Sequence, residues 1–290
     1  MVSSETASMT QSASSRGFGQ SNRRWLGYAD GMPVQPRELC YGSWELRAAS
    51  ELARRLPYSP PIWPVLGSVA RDPAVIRALL AVWRLPVVDV QVRSADADAW
   101  TSVGPVGRIL RGARWAQAVL ELPTVHDHYL TGRPKQALRT NLRHARDVGV
   151  TSGRIPAYEA WFEAASAILH ARRDGPAVTR EIGKPEPGQQ VAYYVARDAD
   201  EKPLVFARVA LLGQFAVLFT MLSRFDRYPS ASWARYQLHT FLALDLGCAG
   251  VKHLLVGSAL REPAGNQYFQ HLLGYRVRNL RVKVIDAGAS

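Results

Sequence analysis

Apolar runs divide the second half of the chain into strands separated by short turns. Val191–Arg197, Leu204–Leu212 and Phe215–Leu222 are rich in β-branched and aromatic residues, which predicts three strands. The segments between them, Asp198–Pro203 and Gly213–Gln214, are short and carry turn-forming residues. Connections of this length join neighbouring antiparallel strands, so we expect the three strands to form a meander.

A long helix and a further strand follow this meander. Trp233–Leu246 is apolar on most sides, which is typical of a helix packed on a sheet. Val251–Val256 is an apolar strand, and the helix before it predicts that it runs parallel to its predecessor. A short helix and a last strand then extend the pattern to Ile285.

The first half alternates between the two kinds of element less regularly. Ser43 suits the N-cap of a first helix, and Asp72 followed by Pro73 suits the start of a second. The patterns predict helices at Trp44–Leu56, Pro73–Arg84 and Tyr158–Arg172 and strands at Val87–Val92 and Ala116–Leu122. A long Gly- and Pro-rich loop from Arg173 to Gln190 separates the last of these helices from the meander.

The segment Lys135–Gly149 predicts an amphipathic helix with a basic side. Leu138 and Leu142 belong to its apolar stripe, whereas Lys135, Arg139 and Arg143 occupy the opposite side. These three residues are candidates for binding an acceptor or a nucleic acid such as tRNA. The alternative is the ordinary solvated face of a surface helix, and no aromatic residues alternate with the charges to stack on bases.

The charge of the whole chain is compatible with an anionic partner without requiring one. The formal net charge is +12 over 290 residues, and most of the cations are arginines. A nucleic acid or a phosphorylated cofactor would suit this charge, but an arginine-rich composition also arises from codon bias. Net charge alone therefore leaves the partner open.

Several classes of protein do not fit the sequence. No apolar run is long enough for a membrane helix, and the Ser-rich N-terminus lacks the apolar core of a secretory signal. Cys40 and Cys248 lie far apart, so we expect neither a disulfide framework nor a zinc knuckle, and a cytoplasmic location fits best. His126 and His128 resemble a metal pair but lack a third ligand, so no metal site is expected.

Three segments together resemble the GNAT acyltransferase superfamily, and within it the branch of Fem-type peptidyltransferases and cellulose- and biotin-cluster acyltransferase-like proteins. The first segment contains Leu120–Pro123, Tyr129–Leu130 and the basic helix. The second contains the strands from Arg208 to Leu222 with the helix and strand that follow. The third is Tyr268–Tyr275. The resemblance implies an α/β (α+β) fold with a GNAT-like mixed twisted sheet flanked by helices.

The resemblance also places a donor site at the start of the long helix. Members carry an Arg/Gln-x-x-Gly-x-Gly/Ala loop there, and the matching spacing here is Arg227, Ser230 and Ser232. Tyr228 and the strand residue Leu222 complete the predicted donor contacts. Serines in place of both glycines leave the donor open between acyl-CoA and aminoacyl-tRNA, each as a co-substrate and neither as a tightly bound cofactor. The alternative is a plain loop in which Ser232 is the N-cap.

The residues for proton transfer follow from the same alignment. Many GNAT enzymes place a tyrosine acid on the last short helix, and Gln270 occupies that position here. Tyr268 and His271 are the nearby candidates, because a phenol can protonate a leaving thiolate and an imidazole can act as a base. His239, inside the apolar helix, is typical of a core histidine.

These observations predict a disordered tail at 1–24, an N-terminal α/β portion at 25–117 and a GNAT-like domain at 118–285. The N-terminal α/β portion at 25–117 is either a reduced second GNAT-like unit or a set of helices packed on the GNAT-like domain. The expected activity is transfer of an acyl or aminoacyl group to a small-molecule or peptide amine. The alternative is a non-catalytic GNAT-fold module that binds RNA or a protein.

Overall fold

Eight strands form a single mixed sheet in the computed structural model, which describes residues 41–55, 73–101, 116–123, 129–172, 182–224 and 229–285. The strands are β1 (Val87–Arg93), β2 (Gln117–Glu121), β3 (Thr151–Ile155), β4 (Val191–Arg197), β5 (Pro203–Leu212), β6 (Phe215–Ser223), β7 (His253–Ser258) and β8 (Arg276–Ile285). Their order across the sheet is β1-β8-β2-β7-β6-β5-β4-β3.

Helices cover both faces of this sheet. They are α1 (Trp44–Arg55), α2 (Pro73–Trp83), α3 (Ser94–Thr101), α4 (Gln136–Asp147), α5 (Tyr158–His170), α6 (Pro229–Cys248) and α7 (Ala264–Leu273), and a 3₁₀ turn at Arg133–Lys135 precedes α4. Side chains of α1, α2, α4, α6 and α7 share one core with one face of the sheet. Side chains of α3 and α5 pack on the other face.

Helix α6 packs against the sheet as its apolar sequence predicts. Leu238, Leu242 and Leu246, spaced four residues apart, are almost completely buried. Removing each of these side chains from water contributes about 1.5–3 kcal/mol, so the stripe fixes the helix on the sheet. Near the helix end a Cβ on Gly247 would collide with the carbonyl oxygen of Pro123, which shows how closely α6 approaches the end of β2.

Strands β6 and β7 are parallel and separate after only three paired residues. Phe215, Ala216 and Val217 pair with β7, whereas β6 continues along β5 as far as Ser223. An extra residue, Phe219, interrupts the β5–β6 register, because Val209 pairs with Leu218 and Arg208 with Thr220. A bulge of this kind bends its strand, so it accounts for the divergence of β6 from β7.

The predicted fold class is confirmed: the chain is an α/β protein with a mixed sheet flanked by helices. The antiparallel order of β4, β5 and β6 and the parallel β6–β7 pair are both as predicted. The Ser43 hydroxyl accepts a hydrogen bond from the Leu46 amide at 3.2 Å, which confirms the predicted N-cap of α1. Among the described helices, none is both long and apolar enough to cross a membrane.

The sequence patterns missed two elements and misplaced the start of one helix. Helix α3 and strand β3 were not predicted, and α6 begins at Pro229 rather than at Trp233. Strand β1 also pairs with β8 in the same sheet as the rest of the described strands. The domain limit between residues 117 and 118 stays a prediction, and the 1–24 tail lies outside the described residues.

Candidate functional site

The end of the sheet where β6 leaves β7 is the candidate donor site, and we call it the donor gap. It is bounded by β6 beyond Val217, by β7 and by the N-terminal turn of α6. Beyond Val217, β6 pairs with β5 on one side only among the described strands. Leu222, a predicted donor contact, lies half-buried near the end of β6.

The first turn of α6 presents backbone amides at this gap. Ser230 is the second residue of the helix and is half-buried, while Ser232 is the fourth residue and is exposed. Because the helix begins at Pro229, the alternative in which Ser232 is the N-cap is wrong. Amides in the first turn of a helix lack partners within the helix and favour anions. The predicted contacts Arg227 and Tyr228 lie outside the described residues.

Arg235, one turn further along α6, adds a positive charge that the sequence patterns did not reveal. Its guanidinium lies 4.6 Å from the centre of the Phe269 ring, and its Nε has no hydrogen-bond partner. Burial lowers the pKa of Arg235, and the nearby charge of Arg172 lowers it further. Arg172 donates a hydrogen bond of 2.7 Å to the carbonyl oxygen of Ser223, at the end of β6. Two guanidinium groups therefore lie close to the gap.

Tyr268 lies on α7 with its side chain open to solvent. Its exposed fraction is 61%, and every other tyrosine of the described residues is buried or half-buried. Burial raises the pKa of Tyr236 on α6, Arg235 lowers it, and Tyr268 raises it, so the two phenols are neighbours. The ring of Tyr236 also packs 4.9 Å from Phe269. Tyr268 thus lies near Tyr236, and its neighbour in sequence, Phe269, contacts both Tyr236 and Arg235.

Gln270 and His271, also on α7, contact Tyr41 instead of Tyr236 and Arg235. Gln270 is 3% exposed, and its amide oxygen accepts a hydrogen bond of 3.1 Å from the hydroxyl of Tyr41. His271 is exposed, and its ring lies 5.9 Å from that of Tyr41. Of the two predicted catalytic residues, His271 therefore lies near Tyr41, and Tyr268 lies beside Tyr236.

The three basic residues predicted to share one binding surface have different environments. The Lys135 ammonium group turns inward and donates to the carbonyl oxygen of Leu273 at 2.6 Å. Arg139 donates to the carbonyl oxygens of Leu130 and Gly132 at 2.6 and 2.9 Å, so it fastens the preceding loop to α4. Arg143 is exposed to solvent.

His239 is a completely buried histidine. Its Nε2 lies 2.7 Å from the hydroxyl of Tyr275, which is also buried, and its Nδ1 has no hydrogen-bond partner. Burial, with smaller effects of Lys135 and Arg235, lowers the pKa of His239 to about 3. The histidine is therefore neutral at physiological pH and belongs to the core.

Within the described ranges, no three His, Cys, Asp or Glu side chains come together as a metal site would require. His126 and His128 lie outside those ranges. The residues gathered at the donor gap are cationic and phenolic, which suits an anionic organic ligand better than a cation.

The arrangement of β6, α6 and β7 decides the fold type. Two parallel strands separate after Val217, and the intervening helix begins at Pro229, shortly after the diverging strand β6 ends, as the resemblance predicts. The chain has a GNAT-like fold. Its assignment to the Fem-type branch stays a prediction.

Comparison with solved structures gives several partial alignments, all at low overall similarity. L-PGS from Bacillus licheniformis aligns over 56% of this chain and 58% of its own, with 10% identity and a TM-score of 0.40. A GCN5-related N-acetyltransferase from Kribbella flavida aligns over 57% and 54%, with 16% identity and a TM-score of 0.31. A tandem GNAT protein from the clavulanic acid biosynthesis pathway aligns over 57% and 50%, with 10% identity and a TM-score of 0.34.

The chain spans less than two-thirds of each of these structures. No family model and no curated protein sequence matches it.

The sequence patterns did not identify Arg172, Arg235 and Tyr236 as residues near the donor gap. One signal was available: Arg235 is a charged residue near the start of a helix that is otherwise mostly apolar. Such a residue indicates either an ion pair or a ligand. Arg172 had no comparable signal, because only the fold brings the end of α5 next to the end of β6.

Proposed function

We propose that this protein is an acyltransferase. It moves an acyl or aminoacyl group from a thioester or ester donor, either acyl-CoA or aminoacyl-tRNA, to an amine. The separation of β6 from β7 beside the N-terminus of α6 is the observation that carries this proposal. In this proposal an extended donor lies along β6, and its phosphates lie at the N-terminus of α6.

The open side of β6 supports the first part of the donor's binding. Beyond Val217, backbone amide and carbonyl groups of β6 that point away from β5 have no partner on β7. A backbone amide or carbonyl group that is shielded from water and has no hydrogen-bond partner costs free energy. An extended ligand that carries its own amides can supply these partners, so its binding beside β6 is favoured. The pantetheine arm of coenzyme A carries two such amides.

The first turns of α6 support the second part. The amides of Ser230 and Ala231 lie in the first turn, and the hydroxyl of Ser230 is beside them. A phosphate group at this position accepts hydrogen bonds from these donors and is favoured by the helix dipole. The guanidinium of Arg235 strengthens the positive potential one turn further on. The phosphates of coenzyme A or the 3′ end of tRNA satisfy these requirements.

The chemistry needs few protein groups once both substrates are held. The amine nitrogen attacks the donor carbonyl, the bond from carbonyl carbon to sulfur or oxygen breaks, and the amine loses a proton. In this proposal the Tyr268 hydroxyl protonates the leaving sulfur or oxygen, and the resulting phenolate takes up the proton of the amine. General acid catalysis of this kind contributes about 10²–10⁴-fold to the rate.

The substitution Ser230→Asp tests the donor site. A carboxylate in the first turn of α6 interacts favourably with the helix dipole and stabilises the helix by about 0.3–1 kcal/mol. The variant should therefore fold at least as well as the parent. The same charge repels phosphate and should weaken donor binding by at least about tenfold, since charge-assisted hydrogen bonds are worth roughly 1.5–3 kcal/mol. The measurement is the shift in melting temperature with acyl-CoA and with aminoacyl-tRNA.

Ser230→Asn is the matched control, because it has the size of the aspartate without the charge. Its donor-induced shift should resemble that of the parent, for which a donor at 100 times its dissociation constant adds about 2.7 kcal/mol. The donor that produces the shift identifies the donor class. If neither donor shifts the parent protein, or if both variants respond like the parent, the proposal is wrong and a non-catalytic module becomes the better description.

A further inference from the structure

A second cleft lies at the end of the sheet opposite the donor gap. It has a volume of about 470 Å³, within the range of small-molecule sites. Residues from β2, β8, the end of α7 and the segments before α1 and α4 line it, and they include Tyr41, Glu121, Tyr129, Lys135, His271 and Tyr275. Helix α7 contributes to both sites, since Phe269 contacts Arg235 beside the donor gap and His271 lines the cleft.

The cleft exists because β2 and β8 separate here. Strand β2 pairs with β8 only from Gln117 to Val119, and then continues along β7 through Leu120 and Glu121. On the other side, the chain enters β8 from Gly274, which ends α7 with a φ of 93°. This left-handed conformation favours glycine. A Cβ on Gly274 would also lie 2.5 Å from the Lys135 ammonium nitrogen, so the glycine leaves the room that this ammonium occupies.

Lys135 supplies a half-buried positive charge without a carboxylate partner. Its ammonium donates to the carbonyl oxygen of Leu273 at 2.6 Å and lies 4.4 Å from the centre of the Tyr129 ring. Within the part of the chain that the structure describes, no carboxylate lies within ion-pair distance of it. The last carbonyl groups of α7 offset only part of its charge. Desolvation lowers the pKa of Lys135 to about 8, so the group gains from a bound anion.

Three tyrosines give the cleft an apolar wall held in fixed positions. The hydroxyl of Tyr129 donates to the carbonyl oxygen of Leu273 at 2.9 Å, and that of Tyr41 donates to Gln270 at 3.1 Å. The hydroxyl of Tyr275 lies 2.7 Å from His239. Because these polar atoms already have partners, the rings present mainly their carbon faces. Lys135, Arg276 and Arg278 bring three positive charges to the lining of the cleft. Among the described lining residues, the one carboxylate is that of Glu121.

We propose that this cleft binds a small organic anion. Its carboxylate or phosphate oxygens contact the Lys135 ammonium, and its flat or aliphatic body packs on Tyr41 and Tyr129. The site is separate from the donor gap and does not depend on the acyltransferase proposal.

Lysine labelling in the presence of four probes tests this proposal. The chain has five lysines, which peptide mapping by mass spectrometry resolves. We expect benzoate or phenyl phosphate to slow acylation of Lys135 at least threefold at pH 8, with the other lysines unaffected. Benzamide, a neutral analogue of benzoate, should protect weakly, and inorganic phosphate tests the charge without the ring. The better of the two charged aromatic probes identifies the anion as carboxylate or phosphate.

Three variants separate binding from folding. Lys135→Met keeps the length of the side chain and should weaken binding of the charged probe at least tenfold, whereas Lys283→Met, at an exposed lysine on β8, should not change it. Glu121→Gln removes the opposing charge and should strengthen binding severalfold, which tests the proposal even if Lys135→Met does not fold. Equal binding of benzoate and benzamide, absence of protection by every probe, or no response to Glu121→Gln would overturn the proposal.

Discussion

At the scale of single residues, the buried pair of His239 and Tyr275 joins α6 to the beginning of β8. The two side chains meet at 2.7 Å inside the core, and Lys135 and Arg235 are the charged groups that act on the histidine. Protonating this imidazole would place a positive charge in a desolvated site near the positive charges of Lys135 and Arg235. The pair therefore makes the stability of the fold depend on pH.

His239→Gln tests this dependence. The histidine has a pKa of about 3 when folded and an ordinary value of 6.5 when unfolded, so only the unfolded chain binds its proton between these values. The free energy of unfolding should therefore fall by about 1.4 kcal/mol per pH unit below pH 6.5. Glutamine does not titrate and keeps a polar group near Tyr275. The parent should lose about 2 kcal/mol more than the variant between pH 7 and pH 5 in urea unfolding. Equal losses would mean that His239 is protonated in the fold.

At the scale of elements, the C-terminus of α7 is fixed by a glycine and a lysine that are far apart in sequence. Gly274 takes a left-handed conformation, and Lys135 reaches the last carbonyl group of the helix through the space beside it. The same contact forms one wall of the second cleft. This helix end thus connects the stability of α7 to the shape of the cleft.

Gly274→Ala should destabilise the protein for two reasons. A left-handed alanine costs about 1–2 kcal/mol, and its Cβ would displace the Lys135 ammonium group. Gly265→Ala is the matched control: it lies in the first turn of the same helix, its Cβ would meet nothing within 4 Å, and it should add up to about 1 kcal/mol. Thermal unfolding compares the two variants, and a loss of stability in both would contradict this explanation.

The elements that the sequence predicted correctly are those with strong apolar patterns. Strands β4 to β6 and helix α6 carry such patterns because both contribute to the core. Strand β3 was missed because Thr151–Ile155 is an edge strand with no fully buried residue, so it shows no apolar alternation. The start of α6 was misplaced because the resemblance placed a loop at Ser230 and Ser232, where the helix has already begun.

The sites depend on contacts that no local pattern contains. Lys135 and Leu273 are 138 positions apart, and the pattern of α4 placed Lys135 on the solvent side. The structure turns it inward because the chain forms a 3₁₀ turn at Arg133–Lys135 before α4 begins. The location of the donor gap was predictable from the order of elements, whereas Arg235 and Tyr236 were identified only by their packing.

At the scale of the whole molecule, the sheet has two openings with different causes. A bulge at Phe219 bends β6 away from β7 at one end, and β8 leaves β2 at the other. Helix α7 contributes to both openings, since Phe269 contacts Arg235 beside the donor gap and His271 lines the cleft. Ligands at the two sites should still protect different backbone segments, because the donor gap lies at the end of β6 and the cleft lies at the start of β8.

Hydrogen–deuterium exchange of the full-length protein with and without donor tests the central claim most directly. With saturating acyl-CoA or aminoacyl-tRNA, amide exchange should slow in residues 218–224 and 229–236, the end of β6 and the start of α6, since these amides bind the donor in our account. Peptides around Lys135 and Gly274 should change little. Unchanged exchange at the end of β6 and the start of α6 with both donors, or protection confined to the second cleft, would contradict the assignment of the donor gap.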